Sequence, residues 1–198
     1  MKARKVKGLD PAESVADNAE RIVLVRLDEL CGFMPRAADP DEVVALHDMR
    51  IAAKRLRYIL EITAPVFGDY ASTAVRLTKD VQDLLGEIHD CDVQIPEVQA
   101  FLDELVAEDA EQLVAAAGNA GDLDPSAVRK APHRNDHAGL VALLVHLRAR
   151  RELLYRRFLE LWQEYERKGY RARLDYAVSE RAHGSGDGAL TSASTGGG

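Results

Sequence analysis

A run of basic residues with one histidine occupies positions 47 to 58, in the order HDMRIAAKRLRY. At about 100° of rotation per residue, a helix over this run gathers several polar side chains within about a third of its circumference. Those side chains are His47, Arg50, Lys54, Arg57 and Tyr58. Arginine holds phosphate oxygens with a planar fork, and lysine acts as a point charge. The spacing therefore predicts a helix face that binds phosphate groups.

An apolar stripe beside this face explains how the helix is held in a core, but not why the face carries one sign of charge. Cations one turn apart repel each other by roughly 0.3 kcal/mol per pair, and a bound anion would remove that cost. Solvated faces usually alternate basic with acidic residues. Here Asp48 is the only acid between His47 and Tyr58. A solvated face without a ligand is the alternative interpretation.

The charge of the chain is strongly segregated. The net charge is −7, which does not favour general nucleic-acid binding. From Asp80 to Val128 there are thirteen acidic residues and no lysine or arginine, so the basic residues lie in the flanking regions. Charges more than about 10 Å apart are largely screened at physiological salt. The local field therefore decides whether an anion binds.

Apolar spacing, few aromatic residues and glycines concentrated at the C-terminus predict an all-α protein with about five main helices. The predicted helices run over about 10–31, 40–68, 70–91, 96–117 and 136–168, and the second of them ends near Pro65 and Gly68. Asp10-Pro11 starts the first of them and Pro96 the fourth. The predicted domain spans 10–183, with disordered termini at 1–9 and 184–198.

Two further helices carry polar strips. On the third helix, Lys79, Gln82, Gly86 and His89 share a face. Gly86 costs about 1 kcal/mol relative to alanine, which predicts close approach by another helix or a ligand. On the fifth helix the strip consists of His146, Arg150 and Arg157. We expect the strip of the fifth helix to converge with the face of the second helix on one anion.

Cys31 and Cys91 lie in apolar patterns without metal-ligand spacing, which is typical of buried free thiols in a reducing cytoplasm. No signal peptide and no run of about 18 apolar residues is present. The sequence therefore predicts a cytoplasmic protein without membrane association, metal or cofactor.

Three strings occur in order along the chain: LHDMRIAAKRLRYILEITAPVFG, LTKDVQDLLGEIHDCDV and HLRARRELLYRRFLELW. Together they resemble the conserved-histidine α-helical domain family, known as CHAD, over most of residues 10–168. The resemblance implies an antiparallel helical bundle with a basic groove or pore that binds inorganic polyphosphate without catalytic turnover. The matching residues are His47, Arg50, Lys54, Arg55 and Arg57 on the second helix, and Lys79, His89 and Asp90 on the third.

The chain departs from longer family members, which resemble two copies of the bundle. Its later basic helix offers His146, Arg148, Arg150 and Arg151 instead of a second Lys-Arg-Leu-Arg string. We therefore expect either a half-sized groove or a homodimer in place of a complete pore. A polyphosphate-metabolising enzyme is a further candidate partner, and polyphosphate granules are a candidate location.

Three other functions stay open at this point. His89 and Asp90, with His47 as an additional ligand, would suit a metal-dependent phosphohydrolase, although nearby cations oppose metal binding. Single-stranded RNA binding uses the same electrostatics but usually adds aromatic stacking, and Tyr58 is the only aromatic on the second helix's basic strip. A purely structural bundle would show no anion preference.

The acidic and titratable residues near the basic face also have predicted roles. Asp90 and Asp92 are expected to orient Arg50 or Arg57 or to close the helix end, with metal ligation as the alternative. His47 beside a polyanion should gain a proton, so binding should tighten as pH falls. The alternative for this histidine is a neutral ring bonded to a backbone carbonyl or to Asp90.

Overall fold

The computed structural model describes residues 2–180, and the regular secondary structure in this range is helical throughout. The helices are α1 (Val15–Gly32), α2 (Met34–Ala37), α3 (Val43–Phe67), α4 (Asp69–Ala117), α5 (Arg134–Arg167) and α6 (Tyr170–Ser179), with a 3-10 helix at Ala127–Lys130. The predicted all-α bundle is confirmed, with five longer helices that pack against one another. The predicted tail at 184–198 lies outside the described residues.

Helix α1 begins later than predicted. Ser14 is its N-cap, and the Ser14 Oγ accepts a hydrogen bond of 3.1 Å from the Asp17 amide. The Asp10 carboxylate accepts instead from the Ala12 amide at 2.9 Å. This side-chain bond forms a turn before the helix, so the predicted start at Asp10-Pro11 is wrong.

Helix α3 carries the basic run and ends as predicted. Gly68 has a φ of 78°, a left-handed conformation that suits glycine and ends the helix. Pro65 lies inside the last turn of α3 and does not end it. The predicted linker before α3 contains the short helix α2, with Pro35 in its first turn.

Helix α4 is continuous, where the sequence predicts two helices divided near Pro96. Pro96 lacks an amide hydrogen and so gives up the bond to the carbonyl of Asp92, one turn earlier. Packing of α5 along α4 crosses this point. The Arg151 Nε donates to the Asp92 carboxylate at 2.6 Å beside it. Tertiary packing therefore outweighs the local helix-breaking signal.

Helix α6 was not predicted. Gly169 has a φ of 69°, so it turns the chain after α5. Tyr170, Leu174 and Val178 then lie on one face of α6 and are buried. The Tyr170 hydroxyl lies 2.7 Å from the Thr78 hydroxyl, which ties α6 to α4.

The chain divides into a bundle body and a two-helix arm. The main core joins α1, α3, the first half of α4, the second half of α5 and α6, and includes Leu27, Leu56, Leu85 and Phe158. Residues 97–117 of α4 and 134–148 of α5 form the arm, which has its own small buried set. Those buried arm residues are Leu105, Asp109, Leu144 and Leu147.

The N-terminal segment before α1 has no helix, yet it contacts α1. The Arg4 amide donates to the Glu29 carboxylate, and the Arg4 guanidinium pairs with Asp28. These contacts hold part of the segment that was predicted to be disordered. None of the helices between residues 2 and 180 is both long and apolar enough to span a membrane.

Candidate functional site

Helices α3 and α4 run antiparallel, and a polar row on each meets the other. Contacts pair His47 with His89, Arg50 with Gly86 and Arg57 with Gln82, so residue numbers rise on α3 as they fall on α4. We call this surface the seam: His47, Arg50, Lys54 and Arg57 of α3, with Lys79, Gln82, Gly86 and His89 of α4. The polar strips of α3 and α4 thus form one continuous surface.

The two seam histidines face each other. Their ring centroids lie 4.4 Å apart, with the ring planes inclined at 46°. Burial lowers the pKa of His47, the neighbouring His89 and Arg50 lower it further, and Asp48 acts in the opposite direction. The His47 Nδ1 is buried and has no hydrogen-bond partner among residues 2–180. The unliganded seam therefore favours a neutral His47, with one ring nitrogen left for a ligand.

Arg50 crosses α4 at Gly86. A Cβ atom on Gly86 would lie 3.4 Å from the Arg50 Nε, which is van der Waals contact, so the guanidinium lies directly against this glycine. The expected close approach to Gly86 is therefore made by an arginine of the basic face. The Arg50 Nε is buried without a hydrogen-bond partner in the described part of the chain. A buried donor of this kind is costly unless a ligand satisfies it.

Tyr58 lies beside two cations of α3. The Arg57 guanidinium lies 4.5 Å from the Tyr58 ring centroid and the Lys54 Nζ 5.7 Å from it. Arg57 also donates to the Gln82 Oε1 at 2.9 Å and pairs with Glu61 one turn further along α3. Arg57 is thus a cross-link between α3 and α4, whereas Lys54 is exposed and has no carboxylate partner among residues 2–180.

One predicted ligand lies off the seam, and another lies at its end. Arg55 is half-buried, about 100° around α3 from Lys54, so it lies off the seam. Lys79 ends the α4 row, is exposed and pairs with Asp83 of the same helix.

The cations of α5 do not reach the seam, because acidic residues of α4 lie between. The Arg150 guanidinium donates to the Glu87 carboxylate at 2.5 Å. Arg157 lines a depression of about 550 Å³ together with acidic side chains of α4 and α5. Those acids are Asp80, Asp83, Glu87, Glu160 and Glu164. His146 is exposed on the arm. The expected convergence of α3 and α5 on one anion is therefore absent.

Asp92 does not orient the arginines of α3. Its carboxylate accepts from the Arg151 Nε of α5 at 2.6 Å, and Arg151 also donates to the Pro40 carbonyl at 2.7 Å. The predicted role of Asp92 toward Arg50 or Arg57 is therefore wrong. Asp90 is exposed.

Residues 2–99 match the CHAD domain family, a range that contains every residue of the seam. The chain is a CHAD-family protein. The match ends where α4 enters the arm, so residues 100–168 lie outside it although the resemblance was expected to reach them. No curated protein and no solved structure matches the chain.

The CHAD segment shows little that resembles a metal centre. Among residues 2–180, no group of three or more histidine, cysteine, aspartate or glutamate side chains is placed to hold a metal ion. The His89 ring faces His47, and Cys31 and Cys91 are free thiols as predicted. Burial raises the pKa of Cys31 to about 11, which suits an unreactive thiol.

The arm contains a buried polar cluster that the sequence did not predict and that lies outside the CHAD match. Asp109 is 4% exposed, its Oδ1 lies 2.8 Å from the His133 Nδ1, and its Oδ2 lies 3.4 Å from the His137 Nε2. Asp109 occupies a position in the same apolar spacing as Leu105 and Leu113. That spacing, with two histidines four residues apart, was the available signal.

Proposed function

We propose that this CHAD-family protein binds inorganic polyphosphate along the seam and does not catalyse its turnover. The observation that carries the proposal is the pair of buried, unpartnered nitrogens on neighbouring seam residues, Nδ1 of His47 and Nε of Arg50. Among residues 2–180 no carboxylate pairs with Arg50 or Lys54. Hydrogen-bond donors and cations without partners suit an anion that brings acceptor oxygens.

Polyphosphate suits this surface by its chemistry. It is a flexible linear chain with a negative charge on every phosphate unit and no bases to read, so recognition depends on counter-charge and donors along a track. The seam offers such a track along one side of α3. Membership of the CHAD family supports the same ligand class, because the family is linked to polyphosphate binding.

We place the protein in the cytoplasm at polyphosphate granules, beside enzymes that make or consume the polymer. A half-sized groove within one chain is sufficient for this binding, because the seam lies within one molecule. Single-stranded RNA is less suited, since the face of Tyr58 is occupied by Lys54 and Arg57.

The test is a titration of long-chain polyphosphate with the double variant Arg50→Ala, Lys54→Ala. We expect its affinity to fall at least about tenfold, because each lost charge-assisted contact contributes about 1 kcal/mol or more. Helix content measured by circular dichroism should stay intact. A phosphate-release assay on the parent protein should show no turnover.

The matched control is Arg148→Ala, Arg156→Ala, which removes the same charge from exposed positions of α5. Its affinity should stay within about twofold of the parent, because neither side chain lies on the seam. Equal loss in both double variants would contradict the seam assignment.

A further inference from the structure

A second charged row borders the seam on α4. Asp83, Glu87 and Asp90 follow one another at intervals of four and three residues, the spacing that Arg50, Lys54 and Arg57 have on α3. Asp83 and Glu87 have side chains that are 49% and 47% exposed, and Asp90 is exposed. We call Asp83, Glu87 and Asp90 the acidic ridge.

The ridge lies between the seam and α5. Asp83 pairs with Lys79 at the end of the seam, and Glu87 pairs with Arg150 of α5. Gly86, which faces Arg50, immediately precedes Glu87 along α4. A helix with its side chains is about 10–12 Å across, so the ridge lies within about that distance of the α3 cations. That distance is close to the Debye length of about 8 Å at physiological salt.

We infer that the acidic ridge determines specificity, by restricting the seam to a thin linear anion and repelling a nucleic-acid duplex. A single phosphate chain can follow α3 without covering the ridge. A DNA duplex carries a negative charge per about 1.7 Å of axis on two backbones, and its second backbone would lie over Asp83, Glu87 and Asp90. Discrimination against duplex DNA thus combines attraction by the cations of the seam with repulsion by the acidic ridge.

This inference rests on the proposed function, because the ridge is a border of the seam and binds nothing itself. It explains why acidic residues stand beside an anion site in the CHAD segment. It also assigns Asp90 a role that does not depend on orienting Arg50 or Arg57.

The test compares two triple variants that each raise the net charge from −7 to −4. The ridge variant is Asp83→Asn, Glu87→Gln, Asp90→Asn. The control is Asp103→Asn, Glu104→Gln, Asp122→Asn, which neutralises exposed acids away from the seam. Both are titrated with duplex DNA and with long-chain polyphosphate at low salt, together with the parent protein.

We expect the ridge variant to gain at least about fivefold in affinity for duplex DNA over the parent, and the control to gain less than about twofold. Polyphosphate affinity should rise only modestly in the ridge variant, through release of Lys79 from Asp83 and of Arg150 from Glu87. The ratio of DNA to polyphosphate affinity should therefore increase for the ridge variant alone.

The outcomes separate the two ideas. If the parent binds polyphosphate and both variants gain equally for duplex DNA, net charge and not the ridge excludes nucleic acid, and this inference is overturned while the proposed function stands. If the parent binds duplex DNA as tightly as polyphosphate, the ridge does not discriminate. If the parent does not bind polyphosphate, the proposed function fails and the inference fails with it.

Discussion

His47 makes anion binding sensitive to pH. Burial, His89 and Arg50 lower the pKa of His47 from its ordinary value of 6.5, which favours the neutral ring at pH 7. A bound polyanion acts in the opposite direction and favours the protonated ring. Binding therefore takes up a proton and tightens as pH falls from 8 to 6, by up to about tenfold for each unit by which the anion raises the pKa. Calorimetric titration in buffers of different ionisation enthalpy measures this uptake.

The control for this prediction is His47→Gln, which keeps a polar side chain but cannot gain charge. Its proton uptake should fall, and its affinity should change less between pH 8 and pH 6. The sign for stability is opposite: because the folded-state pKa of His47 is lowered from its ordinary value of 6.5, the unliganded protein loses stability as pH falls below that value. Equal affinity of the parent at both pH values would count against a role for His47.

Gly86 affects the stability of α4 and the binding of ligand by Arg50 in opposite directions. Gly86→Ala should stabilise α4 by up to about 1 kcal/mol, because alanine is the better helix former. Its Cβ would stand 3.4 Å from the Arg50 Nε, so the guanidinium loses freedom to approach a ligand. We expect an unchanged or higher melting temperature together with polyphosphate affinity lowered by about twofold to tenfold.

Gly139→Ala in α5 is the matched control, since a Cβ there meets nothing within 4 Å. It should stabilise α5 by a similar amount without changing the affinity for polyphosphate. If Gly86→Ala binds polyphosphate as tightly as Gly139→Ala does, Arg50 does not need the space above Gly86.

At the scale of helices, boundaries set by local chemistry were predictable, and those set by packing were not. Gly68 ends α3 because its left-handed backbone suits glycine, and the sequence contains that signal. Pro96 carries an equally plain signal, yet α4 continues through it against α5. Helix α6 was missed because ten residues after Gly169 give only three inward positions, which is too few for a periodicity argument.

The same distinction applies to the candidate site. Neighbours on one helix follow from its period, so His47, Arg50 and Lys54 could be placed on one face of α3 from the sequence. Which faces of different helices meet depends on how the helices pack. The sequence therefore predicts two cationic strips. It does not show that Arg150 pairs with Glu87 of α4 and so does not extend to the seam.

The arm depends on one buried carboxylate. Asp109 holds His133 and faces His137 at the point where α5 begins. Asp109→Ala removes the hydrogen-bond partner of the His133 imidazole and the carboxylate that faces His137, and it should cost about 1–3 kcal/mol. Hydrogen exchange should then show faster exchange in residues 97–117 and 134–148, with the body and polyphosphate affinity unchanged. Exposed Glu104→Ala is the control, and equal loss of protection in the body would show that the arm is not an independent unit.

The whole molecule combines a negative net charge with a local cationic seam. The thirteen acids from Asp80 to Val128 lie along α4 and the loop after it, and Asp83, Glu87 and Asp90 are the ones that border the seam. Several cations are already paired: Arg57 with Glu61, Lys79 with Asp83 and Arg150 with Glu87. The cations available to a ligand are consequently fewer than the sequence suggests.

The salt dependence of polyphosphate binding measures how many cations take part. If His47, Arg50 and Lys54 of one seam neutralise three phosphates, the slope of log K against log salt should be about −2, using roughly 0.7 per phosphate for a single-stranded polyanion. Two seams joined in a homodimer would give about −4 on the same basis. The slope should not change with protein concentration if one chain is sufficient. A slope steeper than about −6 would mean that the paired cations of α4 and α5 leave their carboxylates to join the ligand, which contradicts a seam-only site.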